Sequence, residues 1–434
     1  MTTTTPPTET TSGAPAGVPA RRRPRPGSGA CPPGLVDAGI DSGFGIVNAM
    51  VTHGTHYWTR LLQRRATALD VATDWWRWQS TMLARRRPTW ASPHRIVREW
   101  PLGRLRDFSP TEPDDVVAPS GAGAAGATVA VPPAAVPVLV LPPQAGHDSC
   151  IVDYAPGQSQ VATALSAGCT QVFSMDWLGA TAATKDCGID DYLTMLHEAV
   201  TDLGGRVHLV GDCQGGWLAV IYAAVYPGTV ASLTIAGAPV DYHAGEPLIH
   251  DWLQVVSPGG DMSFYRAAVA ANGGVLPGDF LLTGFKMMQP EAEVERRLGL
   301  LAHLDEPAYV ARFEQFDTWF EHTQPIPGAF YLWIVEHLFM NNELVPGDLV
   351  VGAPDGGTQR VDLGRIDCPL FLLAGSGDHI TPPAQVFALA DFASTPADQV
   401  RRLTTNGGHL GLFMGHDALD NYWRVVFAEL ATLT

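Results

Sequence analysis

A run of apolar residues ends in Gly211-Asp212-Cys213-Gln214-Gly215-Gly216-Trp217, and a second apolar segment follows at once. Gly-x-Cys-x-Gly between a strand-like run and a helix-like one is the pattern of a nucleophile elbow, a sharp strand-to-helix turn with one side chain at its apex. Glycines two before and two after the apex let the neighbouring backbones pass closely, because there is no Cβ to clash. Cysteine at the apex suits nucleophilic catalysis: the thiolate is intrinsically reactive, the helix N-terminus favours negative charge, and a nearby histidine can take the proton. A buried structural cysteine after a strand is the bland alternative. Three glycines in one turn (Gly211, Gly215, Gly216) favour the nucleophile.

Such a nucleophile needs a base and an acid to orient it, and in elbow enzymes they follow in the order nucleophile, acid, base. After the apolar run Leu370–Ala374 comes Gly375-Ser376-Gly377-Asp378-His379-Ile380-Thr381-Pro382-Pro383, and after Val400–Leu403 comes Asn406-Gly407-Gly408-His409. Asp378 is expected to orient His409, and His409 to deprotonate Cys213 and then activate the second nucleophile. His379 is a rival base, although a turn residue rarely points back at its neighbour's carboxylate. A turn-capping role is the alternative for Asp378. The expected oxyanion donors are the backbone N–H of Gln214 and one from the loop Pro142-Pro143-Gln144-Ala145-Gly146-His147. Prolines donate nothing, so Gln144 or Ala145 is the candidate there. His147 either lines the pocket or is satisfied locally. Trp217, beside the nucleophile, is expected to shape the acyl pocket.

These residues need a sheet to hold them. Short continuous apolar strands (Pro137–Leu141, Gln171–Phe173, Val207–Val210, Leu233–Ile235, Leu370–Leu373) alternate with helical segments such as Ile189–Leu203 and Gln214–Val225. That rhythm indicates an α/β protein with a mostly parallel sheet covered on both faces. Residues 241–345 break it with aromatic-rich helical patterns and read as a helical cap. Residues 1–36 cannot bury enough apolar surface to offset their ordering entropy and read as a disordered tail. Residues 37–134 read as a helical N-terminal region, Trp-rich between Ile46 and Arg87, then a strand pair or arm at Ile96–Phe108 and a Pro/Gly/Ala-rich linker at 117–135. The catalytic domain is expected to span 135–434. The Trp-rich helix is expected to pack a core or offer an interaction surface.

The chain has 434 residues and a formal net charge of −17. That balance excludes a general nucleic-acid binder, which needs clustered Lys and Arg. The basic runs Arg21–Arg25 and Arg85-Arg86-Arg87 read as solvated charge or helix-end complement. Six scattered cysteines with no CxxC pair indicate neither a zinc site nor a disulfide framework, and no metal or resident cofactor is expected. No signal-like or membrane-spanning apolar stretch stands out. The expected setting is soluble, reducing and cytoplasmic.

The elbow Gly211–Gly216 with Gln after the cysteine, Tyr222-Ala223-Ala224 with Tyr226-Pro227, Ala238-Pro239-Val240-Asp241, Asn341-Asn342-Glu343-Leu344, Val361-Asp362-Leu363, Asp378-His379-Ile380 and Gly408-His409 together resemble the polyhydroxyalkanoate synthases. The resemblance covers about residues 135–434. It implies an α/β-hydrolase fold, a Cys213–Asp378–His409 triad, acyl-coenzyme A as substrate, and association as a homodimer or on polyester granules. Asp212 and Trp217 depart from that pattern. Gly146-His147, Phe330-Tyr331-Leu332 and His409–Phe413 look equally like the intracellular polyhydroxyalkanoate depolymerases. Cys-Gln-x-Gly-Trp and Ile-Thr-Pro-Pro resemble an uncharacterised branch of synthase-like α/β-hydrolases.

Three functions follow. In acyl transfer, Cys213 takes a 3-hydroxyacyl group from a thioester and a hydroxyl accepts it. In hydrolysis of a polyester, oligomer or small ester, water is the acceptor. A catalytically silent granule- or partner-binding protein is the third, and the complete ordered trio argues against it.

Overall fold

The computed structural model describes residues 33–110, 135–245 and 248–433. The expected tail and linker lie outside the described residues, except that α1 (Pro33–Gln63) already begins inside the stretch expected to be tail. Helix α2 (Ala68–Leu83) follows a break at Arg65, where φ is 51°. It restarts on a capping box: the Thr67 hydroxyl accepts the Asp70 N–H at 3.3 Å, and the Asp70 carboxylate accepts the Thr67 N–H at 2.7 Å. The tryptophans here are not core. Trp58, Trp75 and Trp76 are 61%, 51% and 70% exposed, and only Trp78 tucks in, against Leu300 and Phe313. An apolar face on a helix says that something could be buried, not that something is.

Eight strands form the main sheet: β1 (Arg95–Trp100), β2 (Gly103–Asp107), β3 (Val138–Leu141), β4 (Val172–Trp177), β5 (Val207–Asp212), β6 (Val230–Ala236), β7 (Leu370–Gly375) and β8 (Val400–Thr405). Their spatial order is β1-β2-β4-β3-β5-β6-β7-β8. Strand β2 runs antiparallel to its neighbours β1 and β4, and every pairing from β4 through β8 is parallel. This is the strand order and direction of the α/β-hydrolase fold. Its first two strands lie upstream of residue 135, where an arm or strand pair was expected.

Both faces are buried. Leu139, Leu141, Leu209 and Ile235 point into one core with α4 (Ile189–Asp202) and α5 (Gln214–Val225). Val138, Val140, Val210 and Phe371 point into the other, with α3 (Gln160–Ser166) and the C-terminal helix Arg424–Leu430. Sheets buried on both sides need continuous apolar strands, and these supply them. Helix α5 is buried from Gly215 to Val225, so it is apolar all round.

Between β6 and β7 the cap contributes α6 (Leu248–Val256), α7 (Ser263–Ala271), α8 (Gly278–Met288), α9 (Pro290–Ala302), α10 (Pro307–Phe320) and α11 (Gly328–Trp333). The N-terminal helices hold this cap from outside. Trp78 Nε1 donates to the Arg297 carbonyl at 2.8 Å, Arg77 to the Leu304 carbonyl at 3.0 Å, and Arg60 to the Ala302 carbonyl. No helix of the described residues is long and apolar enough to cross a membrane.

Candidate active site

Parallel strands put the loops that follow them on one edge. Gly211 of β5 is in register with Leu141 of β3 and Ile235 of β6, and Gly375 of β7 with Thr405 of β8. The segments carrying Cys213, Gln144-Ala145, Asp378 and His409 therefore leave the sheet at its C-terminal edge, where open α/β sheets hold their sites.

Cys213 sits between β5 and α5 with φ 49° and ψ −116°, a conformation that L-residues rarely adopt and that costs about 1–3 kcal/mol. Its own N–H is tied to the Ala236 carbonyl at 2.9 Å, and its carbonyl accepts the Gly216 N–H at 2.9 Å. The flanking glycines make this turn fit. A Cβ on Gly211 would lie 2.5 Å from the Gly215 oxygen, while one on Gly215 would strike the Leu141 carbonyl and one on Gly216 the Ala238 side chain. As the first residue of α5, Gln214 has an N–H with no intrahelical acceptor.

Asp378 is buried and its carboxylate is fully engaged. Oδ1 accepts the N–H groups of Ile380 and Thr381, each at 2.9 Å, and Oδ2 lies 2.7 Å from His409 Nδ1. Both expected roles of Asp378, turn cap and histidine partner, thus coexist, one on each oxygen. His379 is exposed, while the partner of Asp378 is His409. Cys213 borders the same cavity as the His409 ring and acts on it electrostatically. With Nδ1 taken by Asp378, Nε2 is the ring nitrogen left to serve the thiol. Burial pulls the His409 pKa down, but the charges of Cys213 and Asp378 and the hydrogen bond to Asp378 outweigh it and lift the value to about 10.

Two further residues lie close to this site: Gly237, which the sequence did not point to, and Asp212, noted there only as a departure from the synthase pattern. Gly237, at φ 52°, leaves room for the imidazole: a Cβ there would lie 3.3 Å from His409 Cε1 and 3.0 Å from Leu412 Cδ1. Asp212, directly before the cysteine, is wholly buried beside the equally buried Gln160. Neither carboxyl oxygen makes a hydrogen bond of good geometry. Burial pushes its pKa up to about 8, against the smaller opposing effects of Gln160 and the His409 charge. Asp212 is therefore a neutral acid beneath the elbow at neutral pH. A charged residue type inside an apolar run was the available signal.

The two loop candidates differ in where their side chains lie. Ala145 lines the cavities on either side of Cys213. The Gln144 side chain turns inward and donates to the Tyr192 hydroxyl at 2.9 Å. His147 does both things expected of it. It lines a cavity, and its Nε2 lies 3.1 Å from the Phe320 carbonyl, with the ring stacked 4.9 Å from Trp319. Burial lowers its pKa to about 4, so it is neutral. Trp217 is 1% exposed and forms part of a cavity wall.

The cap encloses two cavities that meet at Cys213. One, of about 380 Å³, is bordered by His409, Asp148, Glu293, Lys286 and Arg296. The other, of about 450 Å³, is bordered by Gln214, Trp217 and apolar residues of α6, α7, α8 and α11. Ala145, Phe285 and Ile380 border both.

Fold and elbow together define an α/β-hydrolase-fold protein with cysteine at the elbow apex and a His–Asp pair beside it. Residues 122–421 match the family described as "Protein of unknown function (DUF3141)", and the chain belongs to that family. It is 28% identical over 290 residues to the poly(3-hydroxyalkanoate) polymerase subunit PhaC of Haloferax mediterranei, over 64% of this chain and 56% of that one. It is 27% identical over 254 residues to the PhaC subunit of Allochromatium vinosum, over 57% and 67%. The chain thus spans little more than half the length of the Haloferax relative. Among solved structures it is similar to a monoacylglycerol lipase of Paleococcus ferrophilus, with TM-score 0.44 and 15% identity over 69% of this chain and 97% of that one.

Proposed function

We propose that the protein is an acyltransferase of polyhydroxyalkanoate-synthase type, acting on hydroxyacyl thioesters through Cys213, His409 and Asp378. The observation that carries the reading is His409 bonded to Asp378 at 2.7 Å and bordering the same cavity as Cys213 at the elbow apex. The similarity to polymerase subunits supports the choice of substrate class.

The chemistry follows from the charges. His409, oriented by Asp378, is the group placed to take the Cys213 thiol proton as the sulfur attacks. The sulfur attacks the thioester carbonyl carbon, with the oxyanion expected at the Gln214 N–H and one from the Ala145 segment. Collapse breaks the carbon–sulfur bond to the leaving thiolate, which takes the proton from His409. The acyl-cysteine carries no charge, so the main influence raising the His409 pKa is gone while burial still lowers it. His409 is then a base. It takes the proton of an acceptor hydroxyl, whose oxygen attacks the acyl carbon and releases the Cys213 thiolate. Asp378 keeps Nε2 toward the sulfur throughout.

Hydrolysis shares every step but the last acceptor. Purified protein given 3-hydroxybutyryl-coenzyme A and longer 3-hydroxyacyl homologues tests the reading: thiol release with oligomer or polymer supports transfer, and release of free hydroxy acid alone supports hydrolysis. Activity that survives Cys213→Ala would sink both. The exposed apolar residues of α1 and α2 support association with a second copy or with a polyester granule surface, which co-sedimentation with granules tests.

A further inference from the structure

We infer that the cavity on the Gln214–Trp217 side of Cys213 is an acyl-chain chamber, built for an aliphatic chain of roughly eight to fourteen carbons rather than for a four-carbon group. The inference rests on the acyl-cysteine reading above, and deepens it.

Direction comes first. A leaving or attacking group must exchange its proton with His409, so it has to lie on the His409 side of the sulfur. His409 borders only the smaller cavity, which also carries Asp148, Glu293, Lys286 and Arg296. Among the described residues, no charged one borders the larger cavity. A coenzyme A thioester bears phosphates, whose charge would be stranded there without partners. The larger cavity is left for the acyl group.

Size and lining then select the chain. A dry apolar cavity of roughly 150 Å³ accepts a benzene-sized molecule, and this one measures about 450 Å³. Four carbons would leave most of it unfilled. Its walls are Trp252, Phe264, Leu281, Met287, Tyr331 and Trp217 among others, and each methylene that they remove from water adds a roughly three- to fourfold preference. The methionine side chain adapts to chains of differing length and bend.

Gly284 supplies the test. It borders this cavity, and a Cβ there would meet nothing within 4 Å. Gly284→Phe sets a large side chain at the cavity's border, from an exposed helical position where losing glycine favours the helix. Saturated acyl thioesters of four, eight, twelve and sixteen carbons are offered to the full-length protein, and Cys213 acylation is followed by intact mass. We expect the rate per concentration to rise from the four- to the twelve-carbon thioester, and Gly284→Phe to cut the twelve-to-four ratio by about tenfold or more. A flat ladder, or a ratio indifferent to Gly284→Phe, overturns the chamber while leaving the acyl-cysteine reading intact.

A second arm does not depend on chemistry. Cys213→Ala protein is titrated with dodecanoate and with butyrate, read by tryptophan fluorescence. Tighter dodecanoate binding that Gly284→Phe abolishes supports the chamber even if no thioester acylates the sulfur, in which case only the catalytic reading fails. Equal binding of both acids, or dodecanoate binding that Gly284→Phe leaves unchanged, overturns it.

Discussion

Two buried titratable groups flank the sulfur, and each has a pKa displaced for a stated reason. His409 is raised to about 10 because the Cys213 and Asp378 charges outweigh burial. Removing the sulfur should reverse part of that: in Cys213→Ala the His409 pKa, followed by the NMR shifts of its ring protons, should fall. A pKa that does not move would mean that the sulfur does not act on the imidazole. Replacing His409 with Gln should lower acylation of Cys213 by about 10²–10⁴-fold, the usual worth of a positioned base. Asp212 makes the opposite kind of statement. The unfolded chain releases this proton above about pH 4, while the fold keeps it to about pH 8. The native state then binds more protons than the unfolded state, so stability is lost as pH rises through that window. Asp212→Asn removes the loss, and its gain in melting temperature over the parent should grow by several degrees between about pH 5 and about pH 8. A gain that is the same at both would show that the carboxyl is already ionised in the fold.

At the scale of the element, the elbow is a junction that tolerates no extra atoms. A Cβ on Gly211 reaches 2.5 Å from the Gly215 oxygen, and both strand and helix would have to shift to admit it. Gly211→Ala should destabilise the fold by about 2–4 kcal/mol, read by urea denaturation. Gly237 sits at the end of the neighbouring strand and bears on His409 instead. Gly237→Ala should lower acylation by about tenfold or more, since small misplacements of a reacting group are expensive, with a stability cost of only about 1–2 kcal/mol from the positive φ. Equal losses of activity and stability would assign Gly237 to folding rather than to placing the imidazole.

For the whole molecule, the relation between the N-terminal helices and the cap matters most. α1 and α2 hold α9 through Trp78 and Arg60 and the turn after it through Arg77, and the cap in turn forms walls of both cavities at Cys213. Trp78→Ala should loosen this clamp. Amide exchange in α8, α9 and α10 should speed up while that of the central strands stays slow, and the melting temperature should drop by several degrees. Uniform acceleration would mean that the helices support the sheet and not the cap. An ion-pair cluster inside the cap, Arg296 with Glu293 and Asp317 and Lys286 with Glu321, satisfies the charges nearest the smaller cavity.

Much of this was legible in the residues alone. Strand and helix runs, the glycine-framed turn at Cys213 and the later Asp378 and His409 loops are local patterns, because a tight turn or a doubly buried strand demands particular side chains from its own segment. The tertiary structure decided what depends on packing between distant segments. It drew β1 and β2 into the sheet, left Trp58, Trp75 and Trp76 facing outward, and made Gly237 the space for an imidazole. Above all it divided the space under the cap into a charged side with His409 and a side with Trp217 that is uncharged among the described residues. No single segment carries that division, since each wall takes side chains from several elements whose contact exists only once the chain has folded.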